Sequence, residues 1–126
     1  MLILIVDDHA DSGLLMSEFF EYHGFRTSRA ENGAEGLRQA LADPPDLILL
    51  DLEMPVMSGE GFRQQQLHEP SLAGVPVLCV SGRYDAQDRA ERLGLPCFVK
   101  PVPLDLLLAA VQDLQPGSAA RDTRTS

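Results

Sequence analysis

Short apolar runs alternate along this chain with stretches whose apolar residues recur every three or four positions. Leu2-Ile3-Leu4-Ile5-Val6 is an unbroken apolar run that stops at Asp7-Asp8, and it predicts a buried strand. Residues 13 to 23 predict a helix with Leu15, Phe19 and Tyr22 on one face and Gly24 past its end. Arg26 to Ala30 is a more polar strand, as an edge strand would be. Residues 33 to 42 repeat the helical period through Ala34, Leu37 and Leu41, until Pro44-Pro45 breaks it. Leu47-Ile48-Leu49-Leu50 is a second wholly apolar strand and ends at Asp51. Residues 59 to 68 predict a weaker helix, because Gln64 to Gln66 interrupts its apolar face. Val75 to Val80 is a strand ending at Ser81, and residues 85 to 93 a helix aligning Ala86, Ala90 and Leu93. Cys97-Phe98-Val99 is a short strand ending at Lys100. Residues 103 to 114 form the last helix, with Leu104, Leu107, Leu108 and Val111 on one face.

Five strands and five helices in strict alternation predict an α/β fold. The sheet is parallel, with right-handed crossovers, and near-continuous apolar strands require both of its faces to be covered. With 126 residues, the chain suits one such domain over residues 1–115. From Pro116 the composition turns to Gly, Ser, Ala, Arg, Asp and Thr, which predicts a disordered tail or linker over 116–126.

Charge narrows the function classes. A formal net charge of −9 repels phosphate backbones and anionic lipid surfaces, so neither nucleic acid nor membrane is an expected partner. It fits a divalent cation or a basic protein partner, and equally fits plain solubility. The opening apolar run is too short for a signal sequence and lacks a basic region before it, so a cytoplasmic location is expected. Cys79 and Cys97 both lie in apolar runs, which favours free thiols over a disulfide.

One regularity carries the chemistry. Four of the five predicted strands end in a reactive polar residue: Asp7-Asp8, Asp51, Ser81 and Lys100. In an open α/β sheet ligands bind beyond the carboxyl ends of the strands, so these residues are expected in one cleft. A single strand-end Asp is more often a turn or helix cap; acid, acid, hydroxyl and amine together are harder to dismiss. Carboxylates ~4 Å apart repel by about 4 kcal/mol at an effective dielectric of ~20, so something must offset them. A divalent cation with oxygen ligands, Mg²⁺, does so economically; the alternative is an acid that is protonated or turned to solvent. Lys100 is the chain's sole lysine beside nine arginines. A compact point charge can enter an acidic cleft where a planar guanidinium would not substitute, although a strand-end lysine can also simply reach out to water. The Lys100–Pro101 bond is open to a cis isomer. Ser81, followed by Gly82, is either a hydroxyl facing an anion or a turn serine. His9 is expected in the loop after the acids, without the spacing of a histidine metal site.

Ile5-Val6-Asp7-Asp8, Asp46 through Pro55 with Gly59 after it, Val77 to Ser81, and Val99-Lys100-Pro101 together resemble the receiver domains of two-component response regulators. The resemblance covers residues 1 to about 115 in order and spacing. It implies a flavodoxin-like strand order 2-1-3-4-5, with Asp51 as phosphoacceptor. It further implies that Asp8, Asp51 and the backbone carbonyl of Glu53 hold Mg²⁺, with Asp7 assisting through water. Lys100 and Ser81 would contact the phosphoryl group and shift a partner-binding surface. The implied donor is a sensor histidine kinase or a phosphotransfer protein; the implied target is a downstream protein, or a second copy through the last helices. Such a domain is no enzyme beyond its own phosphorylation and dephosphorylation.

Two positions depart from the family pattern. Cys97 stands where an aromatic usually precedes the lysine by three residues, and Phe98 follows one place later, so the switch residues are expected to be Ser81 with Cys97 or Phe98. The Gly94-Leu95-Pro96 loop is one residue shorter than usual. Glu53 and Arg83, at positions that tune phosphoryl lifetime, could pair across the cleft mouth. The main rival is a receiver-like interaction module that is never phosphorylated. A dehalogenase-like phosphatase would place its nucleophile on the first strand, which Asp51 is not.

Overall fold

The computed structural model describes residues 1–54, 56–82 and 85–114. The predicted tail, 116–126, and Arg83 lie outside them. Five strands, Leu2–Val6 (β1), Arg26–Ala30 (β2), Leu47–Leu50 (β3), Val77–Ser81 (β4) and Cys97–Val99 (β5), pair in parallel in the order β2-β1-β3-β4-β5. Between and after them run Ala10–Tyr22 (α1), Gly33–Ala42 (α2), Gly59–His68 (α3), Ala86–Leu93 (α4) and Leu104–Asp113 (α5). Pairing Ile5 with Leu49 and Val6 with Leu50 brings the ends of β1 and β3 level.

Alternation within the apolar runs splits the core in two. Leu4, Val6, Ile48, Leu50, Val77 and Cys79 face one side with Ala40 of α2, Phe62 of α3 and Ala90 of α4. Ile3, Ile5, Leu47, Leu49, Leu78 and Val80 face the other with Met16 and Phe20 of α1 and Leu107 and Val111 of α5. This is why β1 and β3 contain no polar residue: each side chain, on either face, is covered. Burying each such side chain contributes roughly 1.5–3 kcal/mol, which is what fixes the register.

Two helices turn only part of their predicted apolar face inward: Phe19 of α1 and Leu37 of α2 pack against the core, half-buried, but other positions do not. In α1 the buried residues are Gly13, Met16, Ser17 and Phe20, whereas Leu15 and Tyr22 are 58% and 86% exposed. Ser17 is tolerated inside because its hydroxyl meets Thr27 Oγ1 at 2.6 Å. The helix also begins three residues early, at Ala10, with the His9 carbonyl accepting from Gly13 N–H at 3.0 Å. In α2 the inward residues are Gly33, Gly36 and Ala40, while Ala34 and Leu41 are exposed. Close approach explains the choice: a Cβ at Gly36 would lie 3.0 Å from Val6 Cγ2 and 3.3 Å from Phe62 Cε2. The polar interruption in α3 is structural. Gln66 is fully buried, donates to the Leu72 and Val75 carbonyls at 2.8 and 3.0 Å, and accepts from Arg63 at 2.8 Å. It organises the turn into β4, which starts at Val77 rather than Val75.

Candidate functional site

The carboxyl ends of β1, β3, β4 and β5 converge as the strand-end pattern predicts. Asp7 continues β1 by donating its N–H to the Ala30 carbonyl at 3.0 Å, and Asp51 continues β3 by donating to the Val6 carbonyl at 2.9 Å. Lys100 continues β5 by donating to the Ser81 carbonyl at 3.0 Å. Their side chains meet: Lys100 Nζ lies 3.0 Å from Asp7 Oδ2 and 3.5 Å from Asp51 Oδ2. Both acids are almost wholly buried. Ser81 is fully buried at the end of β4, where its Cα pairs with Val99. The Lys100–Pro101 bond is cis.

Each acid is held differently. Asp7 Oδ1 accepts the His9 N–H at 2.9 Å while Oδ2 takes the lysine, so both its oxygens are engaged. Asp51 Oδ1 accepts the Glu53 N–H at 3.0 Å, and among the described residues Oδ2 has only the longer contact to Lys100. Asp8 Oδ1 is a buried atom with no hydrogen-bond partner among the described residues; His9 Nδ1 approaches to 3.1 Å without forming a hydrogen bond. An orphaned carboxylate oxygen beside two further acids fits a hard divalent cation. One oxygen each from Asp7, Asp8 and Asp51 and a ring nitrogen of His9 lie within 4.8 Å of one another. His9 is therefore nearer the cluster than its expected loop role implied, although its side chain is 67% exposed. Adjacency to two acids was its one visible signal in the sequence.

The electrostatics agree with the geometry. Burial pushes the Asp51 carboxyl up to about 6. The Glu53 N–H and the Lys100 charge pull against that shift, and Asp7 and Asp8 add to it. Burial lowers the Lys100 ammonium, but the hydrogen bond to Asp7 and the charges of Asp51 and Asp7 together hold it above the ordinary lysine range. Three carboxylates thus face one ammonium.

The surrounding positions are less uniform. Gly82 packs over the lysine stem, where an added Cβ would meet Lys100 at 3.7 Å, ordinary contact. Gly59 is different: a Cβ there would sit 2.6 Å from Leu52 Cα and 2.8 Å from the Asp51 carbonyl oxygen. Glu53 extends its carboxylate to Arg89 on α4; its expected partner Arg83 is among the residues not described. Cys97 packs with Cys79 on the α2–α4 face, and Phe98 packs on the opposite face, in the core with Val80 and Leu107. The register Cys79 to Cys97, Val80 to Phe98 and Ser81 to Val99 runs without a bulge, so Phe98 cannot point where Cys97 does. Both cysteines are free thiols, and burial, first among causes, pushes both thiols up.

Comparison with known proteins places this geometry. A family model described as the response regulator receiver domain matches residues 3–112. The chain is 33% identical over 116 residues to sporulation initiation phosphotransferase F of Bacillus subtilis, covering 90% of this chain and 93% of that protein. It is 30% identical over 118 residues to protein PilH of Pseudomonas aeruginosa, covering 91% and 98%. The chemotaxis protein CheY4 of Vibrio cholerae superposes with a TM-score of 0.81 at 25% identity, covering 90% of this chain and 98% of that one.

Proposed function

The chain belongs to the family of response regulator receiver domains, the signalling modules of two-component systems, and from that premise we propose that Asp51 is its phosphoacceptor. The observation that carries this reading is the placement of Asp51. It is 3% exposed, level with two other acids, and its Oδ2 is held only loosely by Lys100. A carboxylate held in that way keeps one oxygen available for attack.

In the proposed reaction an Asp51 oxygen attacks the phosphorus of a phosphohistidine on a sensor kinase or phosphotransfer protein. A P–O bond forms as the P–N bond breaks, and the electron pair leaves on the imidazole nitrogen, which takes up a proton. Asp8, Asp51 and the Glu53 carbonyl would hold Mg²⁺, with Asp7 outside the direct shell. The engaged oxygens of Asp7 and the orphaned oxygen of Asp8 support that division. Bound there, the ion would neutralise charge growing on the phosphoryl oxygens. Lys100, already poised 3.5 Å from Asp51, pairs with the transferred group, and Ser81 turns its hydroxyl toward it. The domain acts only on itself, and its product is a change of surface.

That surface is proposed to lie on α4, β5 and α5 and to meet a downstream protein or a second copy of the chain. Val99 and Leu106 are 40% and 63% exposed there. With Cys97 in the aromatic's place, the coupling is proposed to be weak, since a thiol offers a fraction of a ring's buried area. The domain is proposed to work in the cytoplasm; among the described residues no helix is long and apolar enough to cross a membrane.

Treatment with acetyl phosphate and Mg²⁺ should add one phosphoryl mass to the wild type and none to Asp51→Asn. Labelling of Asp51→Asn at the wild-type level would refute the assignment. A wild type that never gains the mass would favour the unphosphorylated interaction module.

A further inference from the structure

Arg89 lies in α4, away from the acidic cluster, yet it reaches the loop on which the cluster depends. Its side chain is only 14% exposed. Nε and Nη2 form a two-pronged pair with the Glu60 carboxylate of α3, and Nη1 meets the carboxylate of Glu53. Nη2 also donates to the Leu52 carbonyl at 3.2 Å. That carbonyl accepts a second bond from Gly59 N–H at 3.1 Å. Glu53, in turn, donates its N–H to Asp51 Oδ1. A single side chain from α4 therefore joins the start of α3 to both residues that follow Asp51.

Exposed ion pairs contribute little to stability. This one differs in that the arginine side chain is largely buried, the pairing with Glu60 is bidentate, and a backbone carbonyl completes it. The hydrogen bond from Arg89 holds the Glu60 carboxyl below its usual range, in agreement with that geometry. Contacts 29 and 36 residues apart in sequence also make α4 and the acceptor loop parts of one unit.

We infer that Arg89 is a positioning residue: it fixes the 52–54 backbone behind Asp51 and carries movement between that loop and α4. The inference rests on the phosphoacceptor reading of Asp51. It gives that site a second connection to the output face, through the acceptor loop rather than through Ser81 and β5. An arginine is suited to the role because its planar fork makes four bonds at once, two of them in parallel to Glu60, whereas an ammonium has three donors and no such fork.

Hydrogen exchange of the metal-free protein, with calorimetric titration of Mg²⁺, tests this in Arg89→Gln, Arg89→Lys and Glu60→Gln. Arg89→Gln should speed exchange over residues 52–60 and 86–93 together, by about tenfold, while β1 and β3 stay near wild type. Its Mg²⁺ affinity should fall by about tenfold, as for loss of an outer-shell partner. Arg89→Lys and Glu60→Gln should fall between. Wild-type loop exchange and Mg²⁺ affinity in Arg89→Gln would overturn the inference, as would exchange that rises uniformly across the sheet. Failure of the phosphoacceptor reading looks different. Wild type would then gain no mass from acetyl phosphate, or Asp51→Asn would gain it equally, yet exchange in the loop would still rise in Arg89→Gln.

Discussion

The acidic half and the responsive half of the site stand on different foundations. Asp7, Asp8 and Asp51 extend β1 and β3, in which every residue is buried. Lys100 extends β5, a three-residue edge strand in which none is fully buried. Both halves meet within 3.5 Å at the lysine. Carboxylates that repel one another need strands that cannot yield, whereas a group that signals its surroundings is better mounted where local opening costs less. The acceptor and the switch can therefore coexist on one sheet because burial is graded from its centre to its edge.

Truncations separate the halves most widely. Leu49→Ala in β3 should cost about 2–5 kcal/mol in urea unfolding, while Val99→Ala in β5 should stay within about 0.5 kcal/mol. Similar losses at the two positions would remove the contrast.

Acidity sharpens it. Burial raises the folded Asp51 carboxyl from the ordinary aspartate value of 3.8 to about 6. Between those values the native state keeps a proton that the unfolded chain has released, so metal-free stability falls as pH rises from about 4 to 6. Below that window the group contributes no penalty; above it the whole penalty persists, on the order of 2–3 kcal/mol. Asp51→Asn carries no such charge, so its advantage over wild type should grow through that window and then level. A difference between the two that is flat with pH would contradict the burial of a charged Asp51.

Backbone approach gives a smaller contrast. Gly59→Ala must displace Leu52 and Asp51 backbone and should cost about 1–3 kcal/mol, while Gly82→Ala meets only ordinary contact and should be nearly neutral. Equal thermal shifts for the two would show that the acceptor loop is no tighter than its counterpart after β4.

At the switch the expected effects are smallest. With a phosphoryl mimic bound, exchange over β5 should change little in the wild type and more in Cys97→Tyr. A large wild-type response that Phe98→Ala removes would place the aromatic role at Phe98, against the bulge-free register.

Much of this was legible in the chain itself. Asp7, Asp51, Ser81 and Lys100 each close a strand whose apolar run is plain in the sequence, and parallel order brings strand ends together. The inward faces of α1 and α2 were legible only at Phe19 and Leu37, which pack against the core. Leu15 and Tyr22 are more apolar than Ser17, yet Ser17 turns inward because its hydroxyl finds Thr27 there, and in α2 it is Gly36 that allows the helix to approach Val6 and Phe62. Arg89 was invisible for another reason. Its partners Glu53 and Glu60 belong to other elements, and no local period records a contact made across the fold.

The central claim, that the buried acid of β3 takes the phosphoryl group, is tested most directly by locating the modification. An aspartyl phosphate reduced with borohydride yields homoserine in place of the aspartate. After acetyl phosphate, Mg²⁺ and borohydride, peptide sequencing by mass spectrometry should find homoserine at position 51 and aspartate at positions 7 and 8. Homoserine at either of those positions, with Asp51 unchanged, would contradict the account.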